Sequence, residues 1–221
     1  MTTQAKLRDN PKELMDKIYR YTRHVYDASR KYFLLGRDKL ITGLDAGHGD
    51  VVCEIGCGTA RNLIKMAERY SGARFVGLDA SDEMLKTARK NLEKAKQEYH
   101  IDLKQAYAQD FDPLALFNVT QFQKIVFSYS LSMIPPWRDS IDHALTLLPK
   151  GGEIHIVDFG QQEDQPRWFK KFLFWFLDLF HVHPEPGLEN YLRELEQDNK
   201  ASVEIRRLYK GYAFLAVMRK L

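Results

Sequence analysis

The chain has 221 residues, of which 44% are hydrophobic, and a formal net charge of +3. This length and composition suit one domain with a buried core and leave too little sequence for a second full domain. The mild charge does not indicate a nucleic-acid partner, for which clustered basic residues would be typical. The lack of a secretory signal or a long apolar run predicts a cytoplasmic location.

We assign residues 1–48 to an N-terminal helical arm and residues 49–221 to the main domain. The first helix is predicted to run from about residue 10 to 30, because Asn10, Pro11 and Glu13 form an N-terminal capping pattern. Four side chains recur at spacings of four, three and four residues and so share one face of this helix: Tyr19, Arg23, Tyr26 and Arg30.

Strands and helices alternate from residue 51 onward. Strands are predicted at 51–55, 74–79, 101–107, 124–130 and 152–158, and helices at 59–70, 81–98 and 137–148, with an irregular link over 108–123. The last two β-rich runs, 203–210 and 212–220, form a predicted hairpin around Gly211. Because regular alternation implies crossover connections, we predict an α/β fold with a doubly wound, mostly parallel, Rossmann-like sheet of seven strands whose last strand is reversed.

A glycine turn follows the first predicted strand, in the stretch Val51–Leu63. Gly56 and Gly58 allow the backbone to approach a ligand at the carboxyl edge of the sheet. Asp79 ends the second strand 23 residues after Gly56, a spacing typical of an acid that binds the hydroxyls of a ribose.

The ligand of this turn is a dinucleotide or a nucleoside such as S-adenosylmethionine. A dinucleotide turn has a third glycine for the pyrophosphate, and Arg61 stands at that position here. Glu54, just before the turn, would repel a pyrophosphate but attract the ammonium and sulfonium charges of S-adenosylmethionine. The acid therefore favours the methyl donor.

From about residue 50 onward, the sequence resembles the class I S-adenosylmethionine-dependent methyltransferases. The glycine motif is Glu54–Thr59, the ribose acid is Asp79, and Asp110–Phe111 matches the motif beside the adenine. Phe127–Leu131 and Leu148–Gly152 match the motifs at the fourth and fifth strands. The final hairpin fits the reversed last strand of the family. The resemblance implies S-adenosylmethionine as methyl donor, with no metal required.

The residues assigned to donor binding are Tyr19, Arg37, Glu54, Gly56, Cys57, Gly58, Asp79, Ala80, Met84, Asp110, Phe111 and Ser128. Among them, Glu54 would bind the amino-acid part of the donor and Asp79 its ribose. Asp110 and Phe111 would flank the adenine. Ala60 stands where the family commonly has glycine, a change that costs little unless residue 60 needs a positive φ.

The stretch Tyr19–Asp38 resembles the N-terminal arm of the diacylglycerylhomoserine N-methyltransferases. The resemblance implies three successive methylations of a lipid amine, giving the betaine lipid diacylglyceryltrimethylhomoserine. Tyrosine faces can hold the quaternary ammonium by cation–π attraction, and a guanidinium suits the homoserine carboxylate. The catalytic candidates are Tyr26, Tyr129 and His24, with Asp158 as a further acceptor for the amine proton. The substrate-binding candidates are Arg23, Arg30, Tyr32 and Trp168.

An aromatic-rich helix is predicted over residues 167–180. Arg167, Lys171 and Asp178 fall near one side of it, leaving a broad face with two tryptophans and five phenylalanines. Because its apolar part is too short to span a bilayer, we expect part of this face to pack on the sheet and part to touch lipid. Transient contact with the inner membrane surface is expected, and the oligomeric state stays open.

Four alternatives compete with this interpretation. An N-methyltransferase of a soluble small-molecule amine would share every donor residue. Transfer of the aminocarboxypropyl group from the same donor would make a different bond. A non-catalytic lipid-binding module is disfavoured by the complete donor motif. A nicotinamide-dependent dehydrogenase is disfavoured by Glu54 and by the missing third glycine.

Overall fold

The computed structural model describes residues 33–178, 182 and 184–221. The strands are β1 Val51–Ile55, β2 Arg74–Asp79, β3 Ile101–Gln105, β4 Lys124–Ser128, β5 Glu153–Phe159, β6 Ala201–Leu208 and β7 Ala213–Lys220. The α-helices of the described residues are α1 Arg37–Thr42, α2 Arg61–Arg69, α3 Asp82–Ala95, α4 Pro113–Phe117, α5 Trp137–Thr146, α6 Arg167–Asp178 and α7 Leu188–Gln197. A short 3-10 helix spans Leu131–Met133.

The strands form a single seven-stranded sheet with the order β3-β2-β1-β4-β5-β7-β6. Strands β1 to β5 pair in parallel, with Cys53 opposite Val76 on one side and Ile125 on the other. Strand β7 runs antiparallel to both of its neighbours, β5 and β6. The predicted fold class is therefore confirmed, including the reversed last strand.

Helices cover both faces of this sheet. Val52 of β1 packs with α1, α2, α3 and α6 on one face, and the next residue, Cys53, packs with α4, α5 and α7 on the other. Successive strand residues point to opposite faces, so the continuous apolar run of β1 supplies both cores at once. No helix in the described ranges has the length and apolar character needed to cross a membrane.

The structure differs from the predicted elements mainly where the chain leaves the sheet. Strands β3 and β4 each end two residues earlier than predicted, at Gln105 and Ser128. The link predicted to be irregular contains the short helix α4, capped by the Asp112 side chain, which accepts a hydrogen bond from the Leu114 amide. Helices α1 and α7 were not predicted. The helix predicted over residues 10–30 lies outside the described residues.

The described part of the predicted arm, residues 33–48, packs onto the sheet. Leu40, Ile41 and Leu44 are buried in the same core as α2 and α3. Two tyrosine hydroxyls hold the segment before α1: Tyr212 donates to the Phe33 carbonyl at 2.8 Å and Tyr129 donates to the Leu35 carbonyl at 2.5 Å. A division of the chain at residue 48 stays a prediction.

Candidate active site

The strand order reverses between β1 and β4, and open parallel sheets bind ligands at such a point, beyond the carboxyl ends of the strands. Gly56 follows β1 with a φ of 73°. A Cβ on Gly56 would lie 2.6 Å from the Cβ of Ser130, which follows β4. Glycine at this position therefore lets the two loops meet and form the floor of a crevice.

Backbone hydrogen bonds fix the glycine loop against β2. The amides of Gly56 and Cys57 both donate to the Leu78 carbonyl, at 2.8 and 3.0 Å. The Gly58 amide donates to Asp79 Oδ2 at 2.8 Å. The Asp79 carboxylate thus stands at the crevice and also joins the loops that follow β1 and β2.

Residue 60 has the positive φ that the sequence analysis named as the condition for a cost. Ala60 precedes α2 with a φ of 63°, in the left-handed region. Because a Cβ is unfavourable in the left-handed region, alanine lowers the stability of the fold at this position relative to glycine. Ala60 is also fully buried, so its methyl group gains some packing in return.

Two cavities flank Gly56 on the carboxyl edge of the sheet. One, of about 300 Å³, is mainly apolar, and its lining includes Leu78, Asp79, Ala106, Tyr107, Tyr129 and Ile134. The other, of about 320 Å³, is polar, and its lining includes Arg37, Glu54, Arg61, Asn62, Asn91 and Ser128. An elongated ligand with an apolar ring at one end and charged groups at the other matches this pair.

The polar cavity combines both signs of charge on buried side chains. Glu54 is 1% exposed, and its Oε1 accepts a hydrogen bond from Asn62 Nδ2 at 2.7 Å. Arg37 is 8% exposed and its Nε donates to the Leu34 carbonyl at 3.1 Å. A carboxylate and a guanidinium around one cavity suit a zwitterionic amino-acid group, with the ammonium near Glu54 and the carboxylate near Arg37.

Two buried hydroxyls also indicate room for a ligand. Ser128 lines the polar cavity and Ser130 the apolar one. The Oγ atoms of both are buried and form no hydrogen bond to any described residue. Because buried polar atoms are normally paired, a polar ligand would satisfy them. These residues therefore fit an adenosyl amino acid.

Tyr129 forms a wall of the apolar cavity. It is 3% exposed, and its ring lies 4.6 Å from that of Phe159. Burial raises the pKa of the Tyr129 phenol well above its usual range, and Tyr212 and Asp158 add to this effect. The hydroxyl is therefore neutral and acts as a donor to Leu35, while the ring face supplies an apolar, electron-rich surface.

The Cys57 thiol beside the crevice is unsuited to act as a nucleophile. Burial raises its pKa well above the ordinary value, and the Asp79 carboxylate raises it further. A thiol that stays protonated is a poor nucleophile, so Cys57 serves to pack the glycine loop. Its Cβ and Sγ would lie 3.1 Å from a Cβ on Gly77 of β2, which explains why glycine occupies position 77.

Most of the predicted donor residues that can be described lie around the two cavities: Arg37, Glu54, Gly56, Cys57, Gly58, Asp79, Ala80 and Ser128, together with the catalytic candidate Tyr129. Four other residues that were assigned to the donor or the substrate line neither cavity. Met84 is buried in the core, and Asp110 is exposed. Phe111 packs against Phe122 and His143, and Trp168 is 71% exposed on α6.

Six predicted residues lie outside the described part of the chain: Tyr19, Arg23, His24, Tyr26, Arg30 and Tyr32. Their assignments to donor, substrate and catalysis stay predictions.

Two loops that line the apolar cavity were missed by the sequence analysis. Residues 106–109 follow β3, and residues 133–136 follow β4. The prediction extended β3 to residue 107 and so hid the start of the first loop. The pair Pro135-Pro136 was the available signal for the second, because two prolines after a strand mark a loop.

Asp158 holds the loop after β4 and lines neither cavity. Its Oδ1 accepts from the Phe159 amide at 2.8 Å and its Oδ2 from the Ser132 amide at 3.2 Å. Burial raises its pKa to about 6, although the hydrogen bonds from Phe159 and Ser132 act in the opposite direction.

Known proteins resemble this chain in sequence and in fold. A relative from Cereibacter sphaeroides, a phosphatidylethanolamine N-methyltransferase, is 29% identical over 118 residues, which cover 53% of this chain. The chain spans about half the length of that relative, 55% of it.

Solved structures share the fold across nearly the whole chain. A SAM-dependent methyltransferase from Aquifex aeolicus has a TM-score of 0.66 at 15% identity, covering 97% of this chain and all of the other. An O-methyltransferase family 2 protein from Planctomyces limnophilus, in complex with apigenin, has a TM-score of 0.67 at 19% identity, covering 98% of this chain and 63% of the other.

The model of a family described as "Methyltransferase domain" matches residues 46–199, well over half of the sequence. This range contains the glycine loop, the carboxylate after β2 and the strands that form the crevice. The protein therefore belongs to the class I S-adenosylmethionine-dependent methyltransferases.

Proposed function

We propose that this enzyme methylates the amine of a lipid headgroup, and that its substrate is diacylglycerylhomoserine, converted by three methyl transfers to diacylglyceryltrimethylhomoserine. The proposal of a lipid amine as substrate rests on the similarity to the relative from Cereibacter sphaeroides, which is a phosphatidylethanolamine N-methyltransferase. The homoserine headgroup rests on the resemblance of Tyr19–Asp38 to the arm of the homoserine-lipid enzymes.

The donor would be held across both cavities. Its amino-acid group suits the polar cavity, between Glu54 and Arg37. Its ribose hydroxyls suit the Asp79 carboxylate, and its adenine suits the loop at Ala106–Gln109 in place of Asp110 and Phe111. When bound, S-adenosylmethionine supplies a methyl group on a positively charged sulfur.

The acceptor amine would approach along the wall formed by Tyr129. Its nitrogen lone pair forms the bond to the methyl carbon as the carbon–sulfur bond breaks, and the sulfur keeps that electron pair. Tyr129 and Ser130 would orient the amine, while the apolar lining excludes water. The positive charge passes from sulfur to nitrogen, where the tyrosine face stabilises it by about 0.5–2 kcal/mol.

The primary ammonium must lose a proton before its nitrogen can attack, and the first two methylations each release a further proton. His24 of the arm would accept these protons, or they would pass to water. Asp158 is less suited to this role than the sequence indicated, because its two oxygens accept backbone hydrogen bonds and it lines neither cavity.

The homoserine headgroup needs a partner for its carboxylate as well as for its amine. Arg23 and Arg30 would pair with this carboxylate, and Tyr26 and Tyr32 would surround the methylated nitrogen, in keeping with the arm resemblance. A phosphatidylethanolamine headgroup has no carboxylate beside its amine, and its phosphate lies farther from the nitrogen, so it would not present an anion at the same place to this arginine pair. The homoserine lipid and phosphatidylethanolamine therefore make different demands on the arm.

The test is methylation of defined lipids in mixed micelles, with S-adenosylmethionine as donor and mass spectrometry of the lipid as readout. We expect diacylglycerylhomoserine to gain one, two and three methyl groups, and phosphatidylethanolamine to react more slowly. Faster reaction of phosphatidylethanolamine would reject the homoserine substrate and retain the lipid amine. Methylation of a soluble amine only, with both lipids unchanged, would reject the proposal. If the lipid instead gains the mass of an aminocarboxypropyl group, the enzyme transfers that group and the proposal of methyl transfer is rejected.

A further inference from the structure

The outer side of α6 presents aromatic rings to solvent. Trp168, Phe172 and Trp175 are 71%, 45% and 59% exposed. Their spacings of four and three residues place the rings on one face of the helix, which we call the outer face of α6. Their combined exposed area is on the order of 400 Å², which is comparable to the largest apolar patches of monomeric proteins, and these are often functional.

Positive charge borders this face. Arg167 and Lys171 are exposed along its edge, and Asp178, in the last turn, is the one acidic residue of α6. Aromatic rings beside cations are typical of helices that lie in the interface of a membrane with anionic lipids. Protein interfaces are also rich in tryptophan, phenylalanine and arginine, but they are depleted of lysine, so Lys171 is the residue that separates the two cases. The charge pattern therefore favours a lipid surface over a protein partner.

The opposite side of α6 packs towards the active site. Leu173 and Leu177 are buried in the core. A series of ring contacts joins the cavity to the helix: Tyr129 to Phe159 at 4.6 Å, Phe159 to Tyr212 at 6.1 Å, Tyr212 to Phe169 at 6.2 Å, and Phe169 to Trp168 at 5.9 Å between centroids. A bilayer at the outer face would thus be separated from the cavity wall by this aromatic layer and α6, itself roughly 10 Å thick.

The length of α6 decides its orientation. Its 12 residues extend about 18 Å, well below the ~30 Å of a bilayer core. A helix of this length with one core-facing side and one aromatic side can lie in the plane of the interface but cannot cross it.

We propose that the outer face of α6 docks the enzyme on a bilayer that carries anionic lipids, with the helix parallel to the membrane plane. Trp168, Phe172 and Trp175 enter the interface, and Arg167 and Lys171 contact anionic headgroups. The inference rests on the proposed lipid substrate, since docking here would leave only α6 and the aromatic layer between the bilayer surface and the cavity wall.

Vesicle binding tests the aromatic part of the face. The protein is mixed with vesicles of equimolar phosphatidylglycerol and phosphatidylcholine, and the bound fraction is measured by flotation. Phe172→Ala combined with Trp175→Ala is expected to lower vesicle affinity at least about tenfold, because each lost ring removes apolar burial. Tyr99→Ala removes a ring that is 92% exposed elsewhere and is expected to bind like the unaltered enzyme.

The charged part is tested with the same vesicles and with pure phosphatidylcholine. Arg167→Gln with Lys171→Gln is expected to weaken binding to the anionic vesicles several-fold and to reduce its salt dependence, with little effect on neutral vesicles. Lys90→Gln with Lys94→Gln, two exposed lysines of α3, is the matched control and is expected to leave binding unchanged. Equal effects of the two pairs would overturn the charge assignment.

Tryptophan fluorescence locates the docked surface. The Trp175→Phe variant keeps two tryptophans. Trp168 is exposed, and Trp137 is only 8% exposed. Brominated lipids are expected to quench Trp168 and spare Trp137. Vesicle binding without quenching, or equal binding by the Phe172→Ala/Trp175→Ala variant, would overturn the proposal.

A short-chain diacylglycerylhomoserine, dissolved as monomers, separates docking from catalysis. The Phe172→Ala/Trp175→Ala variant is expected to keep its kcat/KM for this monomer and to lose activity on vesicles. If the unaltered enzyme docks but methylates neither form, the proposed function fails and the docking surface stands. If the variant methylates the monomer and the vesicle lipid as well as the unaltered enzyme does, the docking surface fails and the function stands.

Discussion

Asp79 performs two tasks at the crevice, one structural and one for the ligand. Its two oxygens accept hydrogen bonds from the amides of Gly58 and Ser81, at 2.8 and 2.9 Å. These bonds hold the carboxylate at the rim of the apolar cavity, where ribose hydroxyls can donate to it. The sequence motif assigned this residue to the ribose, and the structure places it at the apolar cavity, because its spacing from Gly56 reflects the geometry of neighbouring parallel strands.

Asp79→Ala and Asp110→Ala test whether the sequence motif or the cavity lining better identifies the residues that bind the donor. Both acids were assigned to the donor, but only Asp79 lines a cavity. We expect Asp79→Ala to weaken S-adenosylmethionine binding by about ten- to a hundredfold, because hydrogen bonds to a charged group are worth roughly 1.5–3 kcal/mol. Asp110→Ala is expected to bind as the unaltered enzyme does. Titration calorimetry measures both, and an equal loss in the two variants would reject our placement of the adenosine.

Ala60→Gly should stabilise the protein slightly, by up to about 1 kcal/mol, because glycine adopts the φ of 63° without the cost of a Cβ. The loss of a buried methyl offsets part of this gain. Ala67→Gly, inside α2, is the matched control and should destabilise the protein by about 1 kcal/mol. Urea unfolding measures the two changes. Destabilisation of similar size in both variants would contradict the argument.

At the scale of elements, hydrophobic patterning located the strands of the sheet but not the residues at which every strand ends. The bounds predicted for β1 and β2 match the structure, because Gly56 follows β1 and β2 ends in the polar Asp79. The predicted β3 and β4 ran too long, since Ala106, Tyr107 and Tyr129 have apolar or aromatic character that propensity cannot distinguish from strand. These extra residues line the apolar cavity. Ligand loops were therefore least predictable where they continue a strand.

Helix α7 had a readable signal that was overlooked. Leu188, Leu192 and Leu195 recur at helical spacing and are all buried. Helix α1 has only six residues, too few for periodicity to identify it. Its position depends on the contacts that Tyr129 and Tyr212 make with the segment before it, and such long-range contacts are invisible in one sequence.

Tyr212→Phe tests how firmly that segment is held. The hydroxyl of Tyr212 donates to the Phe33 carbonyl at 2.8 Å, and the Phe33 ring stacks on Phe176 at 4.3 Å between centroids. We expect a loss of about 1 kcal/mol in unfolding free energy and faster amide hydrogen exchange over residues 33–36. Tyr209→Phe, at a ring that is 44% exposed, should change neither. Unchanged exchange in Tyr212→Phe would show that stacking alone holds the segment.

At the scale of the whole molecule, the two ends of β5 contribute to stability with opposite dependence on pH. Glu153, at the amino end, accepts hydrogen bonds from His155 and Lys124, which hold its pKa at about 2. Its stabilisation is complete above its ordinary pKa of 4.5 and is lost as the pH falls towards 2. Asp158, at the carboxyl end, has a pKa raised by burial to about 6.

Between pH 4 and 6 the native protein therefore retains a proton on Asp158 that the unfolded chain has lost. This group makes the protein less stable as the pH rises through that window, by up to about 3 kcal/mol. Asp158→Asn removes the titration. The stability of the variant relative to the unaltered protein is expected to rise by that amount from pH 4 to 7 in urea unfolding. Glu153→Gln should instead change the profile below pH 4.5. Parallel curves for Asp158→Asn and the unaltered protein would refute the assignment.

The position of β7 has a consequence for synthesis of the chain. Strand β7 follows every other strand in sequence, yet it lies between β5 and β6. During translation, β1 to β5 can pair before β7 emerges from the ribosome, so the donor crevice forms early while β5 keeps an open edge. Such an edge favours pairing with other chains. The nascent enzyme should therefore need chaperone protection until β7 is released, and the segment before α1 can be held only then, because Tyr212 lies directly before β7.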